Sequence, residues 1–189
     1  MPTSEQQIIH RVSALVAADS VSSPDPHWDS SNRKVVHHIA EYAQSDGWAV
    51  EIQELGSDAN TKANLIASLG DCCETGGQPS GLVLSGHTDT VPFDAEGWDS
   101  DPLTLDERDG RLYGLGSTDM KGFFAVALEA AAAFDPKDFK SPLYLLATAD
   151  EESTMRGARS LTKTTYRRLE PPLWASLRTS GRCECTRAS

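Results

Sequence analysis

At 189 residues the chain is long enough for one ordinary domain with a substantial core. Its 28 acidic against 17 basic residues leave a formal charge of −11, which argues against nucleic acid or an anionic membrane as partner and suits a site that collects cations. No apolar stretch is long enough to span a bilayer, and Met1 through Leu15 lacks the basic-then-apolar order of a secretory signal, so the expected location is cytoplasmic.

Ile8, Ile9, Val12, Leu15 and Val16 recur at helical spacing and predict a helix over Ser4 to Ala18, capped by Thr3 or Ser4 with Glu5 in its first turn. Ser20 to Asp29, rich in Ser, Asp and Pro, reads as loop. A second helix is predicted from about Asn32 to Asp46, with Val35, Val36, Ile39, Ala40 and Ala43 inward and a stop at Gly47. His37 and His38 on it read as solvent-facing or packing residues, not ligands. Trp48 to Ile52 and Ala63 to Leu69 read as strands. Asp71 to Ser80 reads as a turn region. Cys72-Cys73 there, and Cys183/Cys185 near the end, lack Cys-x-x-Cys spacing, and Cys72 and Cys73 read as loop thiols of a reducing compartment and not as zinc ligands.

Gly81 to Pro92 begins as a short apolar run and ends in His87-Thr88-Asp89. The run predicts a strand buried on both faces, and period two points His87 and Asp89 the same way. An imidazole beside a carboxylate at the mouth of such a strand is the arrangement of a metal ligand and its orienting partner; alone, the pair reads sooner as a loop hydrogen bond. Further on, Leu103 to Leu105 and Arg111 to Leu115 are expected to form a hairpin through Asp109-Gly110. Gly114-Leu115-Gly116 precedes a helix over Phe123 to Phe134, but the third glycine of a dinucleotide fingerprint is missing. Asp119, just before that helix, reads by itself as a cap. Leu143 to Ala149 predicts a second buried strand, ending in Asp150-Glu151-Glu152. Three successive acids repel one another unless a cation sits among them. Both polar clusters fall at the carboxyl ends of strands, where α/β sheets bind ligands.

One His, one Asp and a Glu pair form an oxygen- and nitrogen-rich set suited to Zn²⁺, Mn²⁺ or Co²⁺. Two such ions about 3.5–4 Å apart hydrolyse amides, with a neighbouring carboxylate moving the proton. Alternation sends one of Glu151 and Glu152 toward the metal and the other elsewhere, so they can divide these tasks. Ser85 before Gly86 lacks the Gly-x-Ser-x-Gly elbow of a serine hydrolase.

Three stretches, Ser85-Gly86-His87-Thr88-Asp89-Thr90-Val91-Pro92, Leu112 to Gly122 (LYGLGSTDMKG) and Ala147-Thr148-Ala149-Asp150-Glu151-Glu152, closely resemble motifs of the acetylornithine deacetylase / succinyl-diaminopimelate desuccinylase family of zinc peptidases and deacylases. The likeness runs from the N-terminus to about Thr162. Asp89 to Phe93, Met120 to Phe124 and Pro142 to Glu152 are most similar to its acetylornithine-deacetylating members. The resemblance implies an α/β catalytic domain with a mixed sheet flanked by helices, of which this chain holds the N-terminal portion. It implies that His87 binds one metal, Asp119 bridges both, Glu152 binds the other, Glu151 is general base and acid, and Asp89 orients His87. It further implies two Zn²⁺ per complete site, with Co²⁺ an alternative, and hydrolysis of N-acetyl-L-ornithine to ornithine and acetate in arginine biosynthesis. A succinyl-diaminopimelate desuccinylase or an aminoacyl peptidase is the alternative within the family; a non-catalytic metal-binding remnant is the alternative outside it.

Residues 1–162 are therefore expected to be the first part of the catalytic domain. Residues 163–189 gather Arg, Thr, Ser and Pro without a period and are expected to form an aberrant, disordered tail. The family's lid and dimerisation domain, through which its members form homodimers, is missing. So are two later ligands, an acid in Gly-Glu-Pro-Thr and a C-terminal His; Glu170-Pro171-Pro172 stands in the wrong context for the first. Lacking these, the chain alone is expected to be inactive. The tail reads as a frameshift product. With suitable codons, Leu173 through Ala188 in a neighbouring frame spell Val-Gly-Glu-Pro-Thr-Asp-Leu-Arg-Pro-Val-Arg-Met-His-Lys-Gly, which contains the missing motif. Sequencing the gene checks this: the bases are expected to carry that alternative frame, and a different reading there removes the explanation.

Overall fold

The computed structural model describes residues 4–57, 61–70 and 81–161, and in it the helical spacing of Val12, Leu15 and Val16 closes into α1 (Ser4–Ala17). Thr3, one of the two expected caps, lies outside the described residues. Helix α2 (Arg33–Ser45) buries the five expected apolar side chains, and the chain leaves it through Gly47 at φ +85°, a left-handed backbone that favours glycine. His37 is exposed and His38 half-buried, stacked on Tyr42.

Two strands follow, β1 (Ala49–Leu55) and β2 (Lys62–Leu69), then β3 (Leu82–His87), a short pair β4 (Asp106–Arg108) and β5 (Arg111–Tyr113), helix α3 (Lys121–Ala132), strand β6 (Leu143–Thr148) and the short α4 (Arg156–Ser160). The main sheet has the order β1-β2-β6-β3, antiparallel from β1 through β6 and parallel between β6 and β3. This is a mixed sheet, as the resemblance implied. Leu65, Ala67, Leu145 and Ala147 line one face and meet Leu15, the apolar side of α2, and Phe124 and Leu128 of α3. On the other face Tyr144 and Leu146 pack with Leu161. Among the described residues no helix is long and apolar enough to cross a membrane.

Two local expectations are corrected. Strand β3 is not buried on both faces: Leu82 is 52 % exposed and Val83 to Ser85 are half-buried, because β3 pairs only with β6 among the described residues and stands at the sheet edge. Only its last two residues, Gly86 and His87, are buried. The hairpin exists, but its first strand is Asp106–Arg108 and not Leu103 to Leu105. Asp109 and Gly110 both take positive φ (53° and 68°), a two-residue turn that pairs Arg108 directly with Arg111. Helix α3 presents Leu128 to the core and leaves Val126 half-exposed. It crosses β3 so closely that a Cβ at Gly86 would stand 2.8 Å from Met120 Cε and 3.1 Å from Phe123 and Phe124. That contact explains the glycine immediately before His87.

Residues 58–60, 71–80 and 162–189 are outside the described residues, and with them all four cysteines and the expected tail. The core is testable at Phe124, which is fully buried between sheet and helices. Phe124→Ala is expected to lower stability by about 3–5 kcal/mol through lost burial and a cavity, read as a lower denaturant midpoint.

Candidate metal centre

Parallel pairing places His87 opposite Thr148, so β3 and β6 end side by side and their two polar continuations meet. His87 is buried, with Nδ1 3.0 Å from the backbone carbonyl of Asp89 and Nε2 3.1 Å from Asp119 Oδ1. A carbonyl only accepts, so the ring donates at Nδ1, and a neutral ring then aims its Nε2 lone pair at a carboxylate. Two lone pairs facing each other at that distance call for a proton or a cation between them. The ligand atoms of His87, Glu151 and Glu152 also lie within 4.8 Å of one another. This nitrogen-and-oxygen donor set fits a divalent cation. Asp119 is 74 % exposed at its side chain and approaches from the open side, on the turn before α3.

Asp89 is fully buried, and its carboxylate stands 3.7 Å from His87 Nδ1, beyond hydrogen-bond reach. Its two oxygens instead accept the backbone N–H groups of Glu151 (3.2 Å) and Glu152 (3.0 Å). Asp89 thus orients the imidazole through its main chain and the two glutamates through its side chain. Burial of the Glu152 carboxyl raises its pKa first, and the like charges of Asp119, Glu151 and Asp89 raise it further, while His87 opposes. The site therefore carries surplus negative charge that a cation would relieve. Beneath it the fully buried Lys121 donates to the Ala18 carbonyl at 2.7 Å. Desolvation lowers its pKa to about 8, against the pull of Asp19 and Asp89.

Several residues that hold this geometry were not singled out by sequence reasoning. Asn32 pairs with both backbone groups of Ala63 (2.8 Å each) and donates to Thr88 Oγ1 at 2.6 Å; Thr88 in turn donates to the Thr148 carbonyl at 3.0 Å. Asn64 accepts from Ala149 N (3.1 Å) and donates to the Gly157 carbonyl (3.0 Å). A Cβ at Gly157 would fall 2.5 Å from Asn64 Oδ1, so only glycine allows that approach. Asp150, the first of the three acids, turns away from its neighbours toward Lys62. The visible signal was the polar pair Lys62 and Asn64 opening an otherwise apolar strand.

Beside the cluster lies a cleft of about 760 Å³ whose walls include Trp98, Arg111, Tyr113, Leu115, Asp119 and Glu152. Peptidase family M20/M25/M40 matches the chain over residues 83–178. The acetylornithine deacetylase of Aliivibrio salmonicida (strain LFI1238) is 48% identical over 151 residues, 80% of this chain and 38% of the relative. That of Yersinia pseudotuberculosis serotype O:1b (strain IP 31758) is 49% identical over 146 residues, 77% and 37% respectively. The chain thus spans less than two fifths of the length of these curated relatives. Among solved structures, human carnosine dipeptidase 1 aligns with a TM-score of 0.65 at 25% identity, over 85% of this chain and 35% of that one. The Saccharomyces cerevisiae di-peptidase Dug1p shares the fold with a TM-score of 0.60 at 23% identity, over 79% and 33%.

Asp89→Asn sets an amide N–H₂ against a backbone donor that the carboxylate now accepts. It is expected to cost about 1–3 kcal/mol, measured by chemical denaturation.

Proposed function

The chain belongs to Peptidase family M20/M25/M40, and from that premise we propose that its His87, Asp119, Glu151 and Glu152 serve a divalent-metal-dependent amide hydrolase acting on N-acetyl-L-ornithine. The observation that carries this reading is the meeting of one imidazole and three carboxylates at the adjoining carboxyl ends of β3 and β6, with Asp119 brought in by the turn before α3. The identity near one half to acetylornithine deacetylases supports the choice of substrate. On this reading residues 1–162 are the first part of a catalytic domain, and the products, ornithine and acetate, place the reaction in arginine biosynthesis.

His87 offers Nε2, its tautomer set by the Asp89 carbonyl, and Glu152 offers a carboxylate from a backbone whose N–H the Asp89 side chain accepts. Asp119, exposed and 3.1 Å from His87 Nε2, would be a further carboxylate ligand on the open side. When bound, a divalent cation here, Zn²⁺ or Co²⁺, supplies Lewis acidity toward the amide carbonyl and acidifies water. Glu151, whose carboxylate lies in the same cluster, would serve as the base, taking a proton from water and returning it to the departing amine. The cleft beside the cluster, with Trp98 and Tyr113 in its wall, receives the rest of the substrate.

Titration calorimetry with Zn²⁺ tests the ligand set, and release of ornithine tests the base. His87→Ala is expected to weaken Zn²⁺ binding by about tenfold or more. Glu151→Gln is expected to keep binding and reduce hydrolysis about 10²–10⁴-fold. Equal Zn²⁺ affinity in His87→Ala and the parent chain would remove His87 from the site and the proposal with it.

A further inference from the structure

Strand β2 opens with a lysine that the metal chemistry does not use. Lys62 is 1 % exposed, and its ammonium donates to Asp29 Oδ1 at 2.7 Å and to the Ser30 carbonyl at 2.6 Å, with Asp150 Oδ1 at 3.2 Å. An ammonium has three N–H groups, and three oxygens surround it. Asp150 is itself 5 % exposed and accepts a further hydrogen bond from Ser22 Oγ at 3.1 Å; Ser22 in turn meets the Ser153 hydroxyl.

Asp150 also has φ +57°, a left-handed backbone that side chains other than glycine adopt only at a cost. This residue breaks the straight path of β6, so that the next two N–H groups, of Glu151 and Glu152, both reach Asp89. Its own carbonyl accepts from Ser153 N and Met155 N, closing the turn. The Asp150 side chain is anchored by Lys62 and by Ser22, and Lys62 is the cationic contact. Without the ammonium, the buried Asp150 carboxylate would lose its cationic contact and keep the Ser22 hydroxyl as side-chain donor, a state that favours its swinging toward water. If Asp150 swings, Glu151 and Glu152 move with it.

We infer that Lys62 is a positioning residue for the candidate metal centre: through Asp150 it fixes the left-handed turn that aims Glu151 and Glu152 at His87. Its functional meaning rests on the proposed metal hydrolase, while its geometric claim does not.

Site-resolved hydrogen exchange on the 189-residue chain, without metal, tests it at the amides of Glu151 and Glu152. Lys62→Met is expected to speed exchange there about tenfold or more while Leu128 in α3 keeps its protection. Asp150→Asn leaves Lys62 paired with Asp29 and decides the matter if Lys62→Met does not fold; the same gain is expected. Adding Lys62→Met to Asp150→Asn is expected to change exchange at Glu151 and Glu152 no further, because both act through one contact. Unchanged exchange at Glu151 and Glu152 in Asp150→Asn, or additive gains in the double variant, overturns the inference. Zn²⁺ titration of the same proteins separates the two claims. Binding about tenfold weaker in a folded Lys62→Met links the turn to the metal centre. A parent chain that binds no Zn²⁺, with exchange responding as expected, removes the metal reading and leaves the positioning role standing.

Discussion

Two backbone N–H groups, those of Glu151 and Glu152, end on the two oxygens of one buried carboxylate, Asp89. That contact joins the segment after β3 to the segment after β6, and the candidate site consists of what those segments and the end of β3 carry, together with Asp119 from the turn before α3. It also fixes what Asp89 does for His87. With its carboxylate engaged by amides, the residue turns its carbonyl to Nδ1, which leaves Nε2 as the ring's outward lone pair. One residue therefore sets the tautomer of the imidazole and the path of the two glutamates.

A carboxylate without water or partners is costly to bury, and the fold surrounds this one with compensation. The two amides are hydrogen-bonded to it, and Lys121 lies below as a buried positive charge. The same logic repeats across the sheet. Asn32 ties β2 to the Thr88 turn, Asn64 ties β2 to Ala149, and Lys62 ties β2 to Asp150. Strand β2 is thus the member to which both segments are tied. A polar network that is satisfied inside a low-dielectric interior specifies one arrangement strongly, because each broken contact leaves a group unpaired.

The open side is built differently. Glu151, Glu152 and Asp119 are exposed, their carboxylates crowd His87, and the Glu152 pKa is raised first by desolvation and then by the like charges around it. A buried frame beneath exposed, mutually repelling carboxylates is an arrangement whose repulsion a bound cation would relieve.

The sequence by itself determined the elements and the chemistry. Helical spacing located α1 and α2 within a residue or two, and apolar runs located β3 and β6, since periodicity reports which faces are buried. His87 and the Glu151-Glu152 pair were legible because those residue types are rare directly after apolar runs, whereas Asp119, which reads alone as a cap, was marked only by the resemblance of its motif. Only the tertiary structure decided that β3 is an edge strand, that the hairpin begins at Asp106, and that the Asp89 carboxylate serves the glutamate amides and not the imidazole. It alone brought Lys62, Asn32 and Asn64 to the site. Their partners lie far along the chain, and a lysine or asparagine at the start of a strand carries no local mark of the group it will meet.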